Sequence, residues 1–368
     1  MLRDVRVDLA SIASNFSRIQ QLVAPAQVMP IVKADGYGHG ANQVAKALVA
    51  AGARQLGVAD ATEALALRTA GIQAPILCWL LDPSEALGPL IGADIQIGIS
   101  TLQQLDLVAE AAALVGAAKI HLKLDTGLGR NGLAPTEWYL AFERIARLVD
   151  SGLVSVAGTF SHLANASAEE NDKQRDLFET GLSQLLAAGL QPGLRHLAAS
   201  EAALSSPQLR YDMVRVGIAI YGQPPASQID LNSLGLRPAM RVSAAVINLK
   251  PVPAGHGVSY GFEYRTSSTT RLALVSFGYA DGLPRQASGF EVLLNGAKVP
   301  IVGRIAMDQF VLDIGNLTCE LGDEVVIFGD AARGEPTASE LAFKAGTINY
   351  DIVTRVGQRP GRRYIEGN

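Results

Sequence analysis

A chain of 368 residues that is 48% apolar and only 18% charged, with no low-complexity tract, can bury a substantial core, which excludes intrinsic disorder. A formal charge of -4 gives no basic surface for nucleic acid or an anionic membrane. Cys78 and Cys319 stand far apart without a partner pattern, so neither a disulfide framework nor a metal site is expected. The opening MLRDVRVDLASIASNF carries charge where a secretory signal would be apolar, and no long uncharged apolar stretch follows; a cytoplasmic protein without membrane spans is expected.

Residues 1–9, MLRDVRVDL, alternate as a strand does and are expected to pair with a distant β region. From residue 27 to about 220, short Val/Ile/Leu-rich runs alternate with Ala/Leu-rich segments of helical spacing. The strand-like runs fall at 27–33, 55–59, 75–80, 95–99, 119–124, 155–161, 194–198 and 213–220. TLQQLDLVAEAAALVG is one helical segment between them, with Ser100 or Thr101 as its cap. Eight strand–helix units predict an α/β fold, a (β/α)8 barrel over 10–232, which needs about 200 residues or more. A doubly wound sheet would show the same alternation, and the count favours the barrel. The texture then changes. RVSAAVINLKPV, RLALVSFGYADG and FEVLLNGAKVPIVGRIAMDQFVLDIG are β-branched, alternating and punctuated by turns. They predict a mainly antiparallel β domain over 233–368, with LNGAK as a hairpin, a short helix near 337–346, and 221–238 as linker.

Several polar residues stand where apolar ones are expected. Lys33 closes the run VMPIVK at a strand end, the face on which barrels build active sites; a partly desolvated lysine has a lowered pKa and forms a Schiff base with an aldehyde. The bland alternative is a lysine snorkelling from the strand end. In HLKLDTGLGRNG, His121, Lys123 and Asp125 share one strand face, which suits a structural Lys–Asp pair. GLGRNG also matches the dinucleotide fingerprint, but it follows a charged strand and places an arginine where pyrophosphate would approach. Arg215 interrupts the apolar strand MVRVG and needs a partner, Asp212 being the structural option and a cofactor atom the functional one. Gly217 and Ile218 could offer backbone N–H groups to a phosphate, while His162 and Ser200 lie at two further strand ends. Tyr260, Met307, Asp308 and Tyr350 mark the β region.

Taken together, VKADGYGHG, HLKLDTGLGRNG, VRVGIAIYG, GVSYG, GYADG, VGRIAMDQ and GTINYD, in that order, resemble the alanine racemases, a family of pyridoxal 5′-phosphate enzymes; the likeness runs from about residue 6 to 364. It implies racemisation of L- and D-alanine, for peptidoglycan supply or D-alanine catabolism, by two bases. Lys33 would carry the cofactor as an imine and serve one face. Tyr260 would serve the other, contributed with Met307 from a partner subunit in a homodimer with shared sites. Tyr37, Ser200, Gly217, Ile218 and Tyr350 match phosphate-binding positions. Arg215 matches the arginine at the pyridine nitrogen and His162 the histidine linking it toward Tyr260. Arg130 matches the arginine near the cofactor's phenolic oxygen and the substrate carboxylate, and Lys123 a lysine carbamylated in several members. Ala199 and Ala306 depart from the Asn and Cys common in the family, which bears on cofactor hydrogen bonding and substrate scope. A broad-specificity amino-acid racemase on the same fold is the nearest alternative, and a non-catalytic carrier of pyridoxal phosphate the rival from another class. Tyrosine's ordinary pKa of about 10 means that Tyr260 needs positive neighbours to act as a base near neutrality. A guanidinium at the ring nitrogen would not protonate it, since its own pKa exceeds ~12.

Overall fold

The computed structural model describes residues 2–366 and divides into two compact units. One comprises Ala13–Gly36 with Ala41–Ile220; the other comprises the N-terminal residues to Ile12, Tyr37–Gly40 and the chain from Tyr221 onward. Among the described residues no helix is long and apolar enough to cross a membrane.

After β1 (Arg3–Asp8), the first unit carries eight parallel strands: β2 (Gln27–Pro30), β3 (Leu56–Asp60), β4 (Ile76–Leu80), β5 (Ile95–Ile99), β6 (Ala118–Lys123), β7 (Val154–Phe160), β8 (Leu194–His196) and β9 (Met213–Val216). β3 to β8 form a continuous six-stranded sheet and β2 pairs with β9. Single bridges, Ile31 to Gly57 and Ala199 to Arg215, join the two sheets into a closed ring. The alternation expected from sequence is therefore the barrel and not the open sheet. Trp79 on β4 shows how the ring is packed. A Cβ at Gly57 on β3 would come within 3.0 Å of its ring, and one at Gly98 on β5 within 2.9 Å of its Cβ. Both flanking strands thus give up side chains to seat one indole. Thr101 caps the helix Leu102–Val115, its Oγ1 accepting from the Gln104 N–H at 3.1 Å.

The second unit contains β1, β10 (Met240–Val252), β11 (Gly257–Val258), β12 (Tyr264–Arg265), β13 (Thr270–Val275), β14 (Glu291–Leu294), β15 (Ala297–Val302), β16 (Phe310–Asp313), β17 (Glu324–Phe328) and β18 (Arg362–Ile365). β10 has 13 residues, enough to pair with β17 and β1 along one half and β13 along the other, so β10, β17, β14, β15, β16 and β13 close into a ring. β1 adds antiparallel to β10 and parallel to β18. Asn295 and Gly296, at φ 48° and 79°, make the two-residue turn between β14 and β15 that LNGAK predicted. A Thr337/Glu340 capping box starts the helix Ala338–Ala345, and a second helix, Asn349–Thr354, follows it.

Charge ties β10 to β17. Glu324 accepts from Arg241 at 2.6 and 2.9 Å and from Ser243 Oγ at 2.7 Å, and the arginine's bonds hold its pKa at about 2 against an ordinary 4.5 although burial opposes them. The unfolded chain takes up this proton first, so stability present above about pH 4.5 is lost as pH falls toward 2. Glu324→Gln is expected to flatten the acid-side decline of the thermal midpoint across that window; a decline as steep as wild type would contradict the pairing.

Candidate active site

Lys33 lies just beyond β2 at the C-terminal rim of the barrel. Directly after it Ala34, Asp35 and Gly36 adopt left-handed helical dihedrals, φ 52°, 53° and 62°, a conformation costing about 1–2 kcal/mol per residue with a Cβ. Three bonds hold the turn. Glu63 Oε1 accepts from the Ala34 N–H at 2.6 Å, Asp35 Oδ1 from the Ala41 N–H at 2.8 Å, and the Gly36 N–H donates to Val32 O at 2.9 Å. Glu63 Oε2 accepts from Ala59 N–H at 2.8 Å, so one carboxylate fastens the lysine's turn to the end of β3. Lys33 Nζ sits 6.0 Å from the Trp79 ring centroid. Burial, with the Arg130 charge second, lowers the lysine's pKa, while Glu63 acts in the opposite sense. The result is an amine that holds its proton less tightly than an exposed lysine does, on a fixed stalk.

Arg215, on β9, is 5% exposed. Its terminal nitrogens donate to the carbonyls of His196 (2.8 Å), Ser161 (2.7 Å) and Leu197 (2.9 Å), and to Nδ1 of His196 and of His162, both at 3.1 Å. Asp212, the carboxylate expected beside it, pairs instead with Arg195 at 2.8 and 2.9 Å. Among the described residues Arg215 forms no ion pair. Burial first, then Arg130, brings its pKa down to about 9, which leaves it charged at neutral pH. His162 is held near 2 by burial and then by Arg215, so it is a neutral acceptor with its proton on Nε2.

The expected Lys123–Asp125 pair is not formed. Lys123, 4% exposed, donates to the Asn131 side chain, and Asp125 Oδ1 accepts from the N–H groups of Gly127 and Gly129 at 3.0 and 3.2 Å. Burial, then Arg130 and Arg215, lowers Lys123 to about 8. GLGRNG is the loop bent by Asp125 and opens no helix, which removes the fingerprint reading. Arg130 is exposed on that loop, and its charge lowers Lys33, Lys123, His162 and Arg215 alike. At the end of β9, Ser200 Oγ accepts from the Gly217 N–H at 3.0 Å, and Ile218 follows, 1% exposed.

In the second unit, Tyr37 lies between Tyr221 and Tyr350, ring centroids 5.0 and 6.2 Å away. Arg362 Nε donates to Gly38 O at 3.0 Å, and a Cβ at Gly38 would reach within 2.3 Å of Val353 O, so the Tyr37–Gly40 segment is pressed against the helix that bears Tyr350. Tyr260 is 68% exposed and Met307 53%. Before Tyr260, Ser259 adopts φ 58° and ψ -168°, a region nearly reserved for glycine. Ser259 Oγ donates to Arg304 O at 2.6 Å and Arg304 pairs with Glu263 at 2.7 Å, which joins the Tyr260 loop to the Met307 loop. Fully buried Asp281 accepts from Arg359 at 2.6 and 2.8 Å and forms an ion pair with Arg3 at 2.9 Å; Arg359 also reaches Asp308 at 2.6 Å, next to Met307.

Glu63, His196, Tyr221 and Asp281 do not stand out in the sequence. Only Glu63 left a signal, the Asp60-x-x-Glu63 spacing of a helix start, and that spacing does not reveal its grip on Ala34. Glu63→Ala strands two N–H groups and removes the anion that raises Lys33's pKa. It is expected to destabilise the protein by about 1–3 kcal/mol in urea titration and to increase labelling of Lys33 by amine reagents at neutral pH. Unchanged labelling and stability would contradict the clamp.

The chain matches the alanine racemase N-terminal domain model over residues 7–225 and the C-terminal domain model over 239–364. It is 46% identical to the alanine racemase of Thermobifida fusca over 98% of this chain and 97% of that protein. Among solved structures it is similar to the alanine racemase of D-cycloserine-producing Streptomyces lavendulae (TM-score 0.98, 44% identity, covering 100% of this chain and 98% of that one). It is also similar to that of Bacillus anthracis with bound L-Ala-P (0.89, 35%, 99% and 95%). The expected fold is thereby confirmed, and the chain belongs to the alanine racemase family.

Proposed function

We propose that this protein interconverts L- and D-alanine with pyridoxal 5′-phosphate as cofactor, working as a homodimer. The observation that carries the reading is the barrel rim itself, a partly desolvated Lys33 together with a buried Arg215 that has only neutral acceptors. Such a set fits this cofactor: the lysine is an amine whose proton is loosened by burial, as attack on an aldehyde requires, and a cation without a carboxylate suits a ring nitrogen that accepts without being protonated. When bound, the cofactor supplies an aldehyde that condenses with the substrate amine and an electron-withdrawing ring that weakens the Cα–H bond.

Lys33 takes or returns the α-proton on one face, and burial, by lowering its pKa, makes that proton easier to release. The partner subunit's Tyr260 serves the other face; the exposure of Tyr260 and Met307 in the single chain, on a strained and braced loop, supports their contribution across a dimer. Within the barrel unit, Ser200, Gly217 and Ile218 would hold the phosphate. Arg130, exposed and cationic, would orient the substrate carboxylate. Lys123, at about 8, keeps enough neutral amine to add to carbon dioxide, forming a carbamate with release of a proton. That change would turn a cation into an anion beside Arg130. The relatives reported above are alanine racemases, which does not favour the broad-specificity alternative, and the braced Tyr260 and Met307 loops exceed what a non-catalytic carrier needs.

Incubation with L-alanine and the cofactor, followed by chiral analysis, is expected to yield equal D- and L-alanine; no D-alanine would contradict the proposal. Lys33→Ala and Tyr260→Ala should each abolish turnover, and mixing the two inactive proteins should restore part of it through hybrid dimers. Failure of the mixture to recover any activity would overturn shared sites.

A further inference from the structure

Four polar side chains stand inside the barrel where such folds ordinarily stack Val, Ile and Leu. We infer that His196, His121, Gln96 and Gln55 form a one-way hydrogen-bond chain that positions Arg215, a role that rests on the function proposed above. Arginine can only donate. Its NH1 lies 3.1 Å from His196 Nδ1, so that nitrogen is an acceptor and the ring's proton is on Nε2. His196 Nε2–H therefore donates to His121 Nδ1 at 2.9 Å, and His121 Nε2–H to Gln96 Oε1 at 2.8 Å. Gln96 Oε1 also accepts from Gln55 Nε2 at 2.7 Å, and two donors on one atom fix that amide's orientation.

The surroundings are built for this chain. Both imidazoles are fully buried, and burial pushes His121 down to about 3 and His196 well below its ordinary value, so each is neutral and held in one tautomer. Gly158 faces His121 across β6 and β7, beside a register shift, and a Cβ there would sit 2.4 Å from His121 Nδ1. Phe160 stacks on His196 at 4.8 Å and 3°, and the Arg215 guanidinium lies 5.4 Å from the same ring. The consequence is directional. Were His196 to carry its proton on Nδ1, two donors would meet head-on and the guanidinium would be displaced. The acceptor at Gln96, three links away, prevents that.

The test starts with the wild-type holoenzyme labelled with 15N-histidine, whose five histidines can be assigned by single substitution. His121 and His196 are expected as neutral Nε2–H tautomers that do not titrate between about pH 6 and 8. An Nδ1–H form or a titration at either would overturn the chain's direction. Gln96→Leu should then mix the tautomers and lower kcat for alanine about 10- to 100-fold with KM changed less than about 3-fold. Gln96→Glu, which keeps the acceptor, should restore the tautomers and most of kcat. Mixed tautomers with kcat within about 2-fold of wild type would overturn the positioning role. A wild-type holoenzyme that does not racemise alanine would overturn both that role and the proposed function, while the tautomers still report the chain's direction.

Discussion

A buried cation without a counter-charge constrains the barrel unit more than any other feature. Burying an ion costs several kcal/mol even after relaxation. Arg215 offsets that with donations to three carbonyls and two imidazoles, each charge-assisted bond contributing about 1.5–3 kcal/mol. Those acceptors come from the ends of β7 and β8, so the strand ends must be where they are for the charge to be tolerable. The same charge acts at a distance. After burial, which is the larger cause, it helps keep His162, His196 and His121 from gaining a proton and helps lower Lys123. Burial and this guanidinium together keep the three imidazoles neutral.

Strained backbone flanks both residues proposed for proton transfer. Lys33 precedes a left-handed turn, and Tyr260 follows a serine at φ 58° and ψ -168°. Both stalks are tied to residues that are themselves fastened: one to the Glu63 carboxylate, which also holds β3, and the other to the Arg304 carbonyl, whose guanidinium pairs with Glu263. A flexible stalk would let each base wander. A strained stalk held from several sides loses that freedom during folding, before any substrate arrives.

Much of the architecture is legible in the pattern of residues. Eight apolar runs fall where eight strands lie, because buried parallel strands need continuous β-branched segments. Closure of the ring is not legible, since it rests on single bridges at Ile31 and Ala199 that leave no periodicity. Arg215 is visible as an intrusion in MVRVG, yet its partners are not. The nearest carboxylate in sequence, Asp212, is engaged by Arg195, and the real acceptors are mostly main-chain carbonyls, which any residue supplies. Gln96 and His196 read as ordinary half-buried strand positions, and only three dimensions join them. The helix Asn349–Thr354 escapes notice because NYDIVT has little helical propensity; it is held by Asn349 donating to Pro224 O at 2.8 Å.

The central claim is that the cation at Arg215 selects the reaction by leaving the cofactor's ring nitrogen unprotonated. Counting alanine racemisation turnovers per transamination event, in wild type and in Arg215→Glu loaded with pyridoxal phosphate, tests it most directly. A carboxylic acid at that position can donate a proton to the ring, so the account predicts a ratio at least about 10-fold lower in the variant. An unchanged ratio would contradict it.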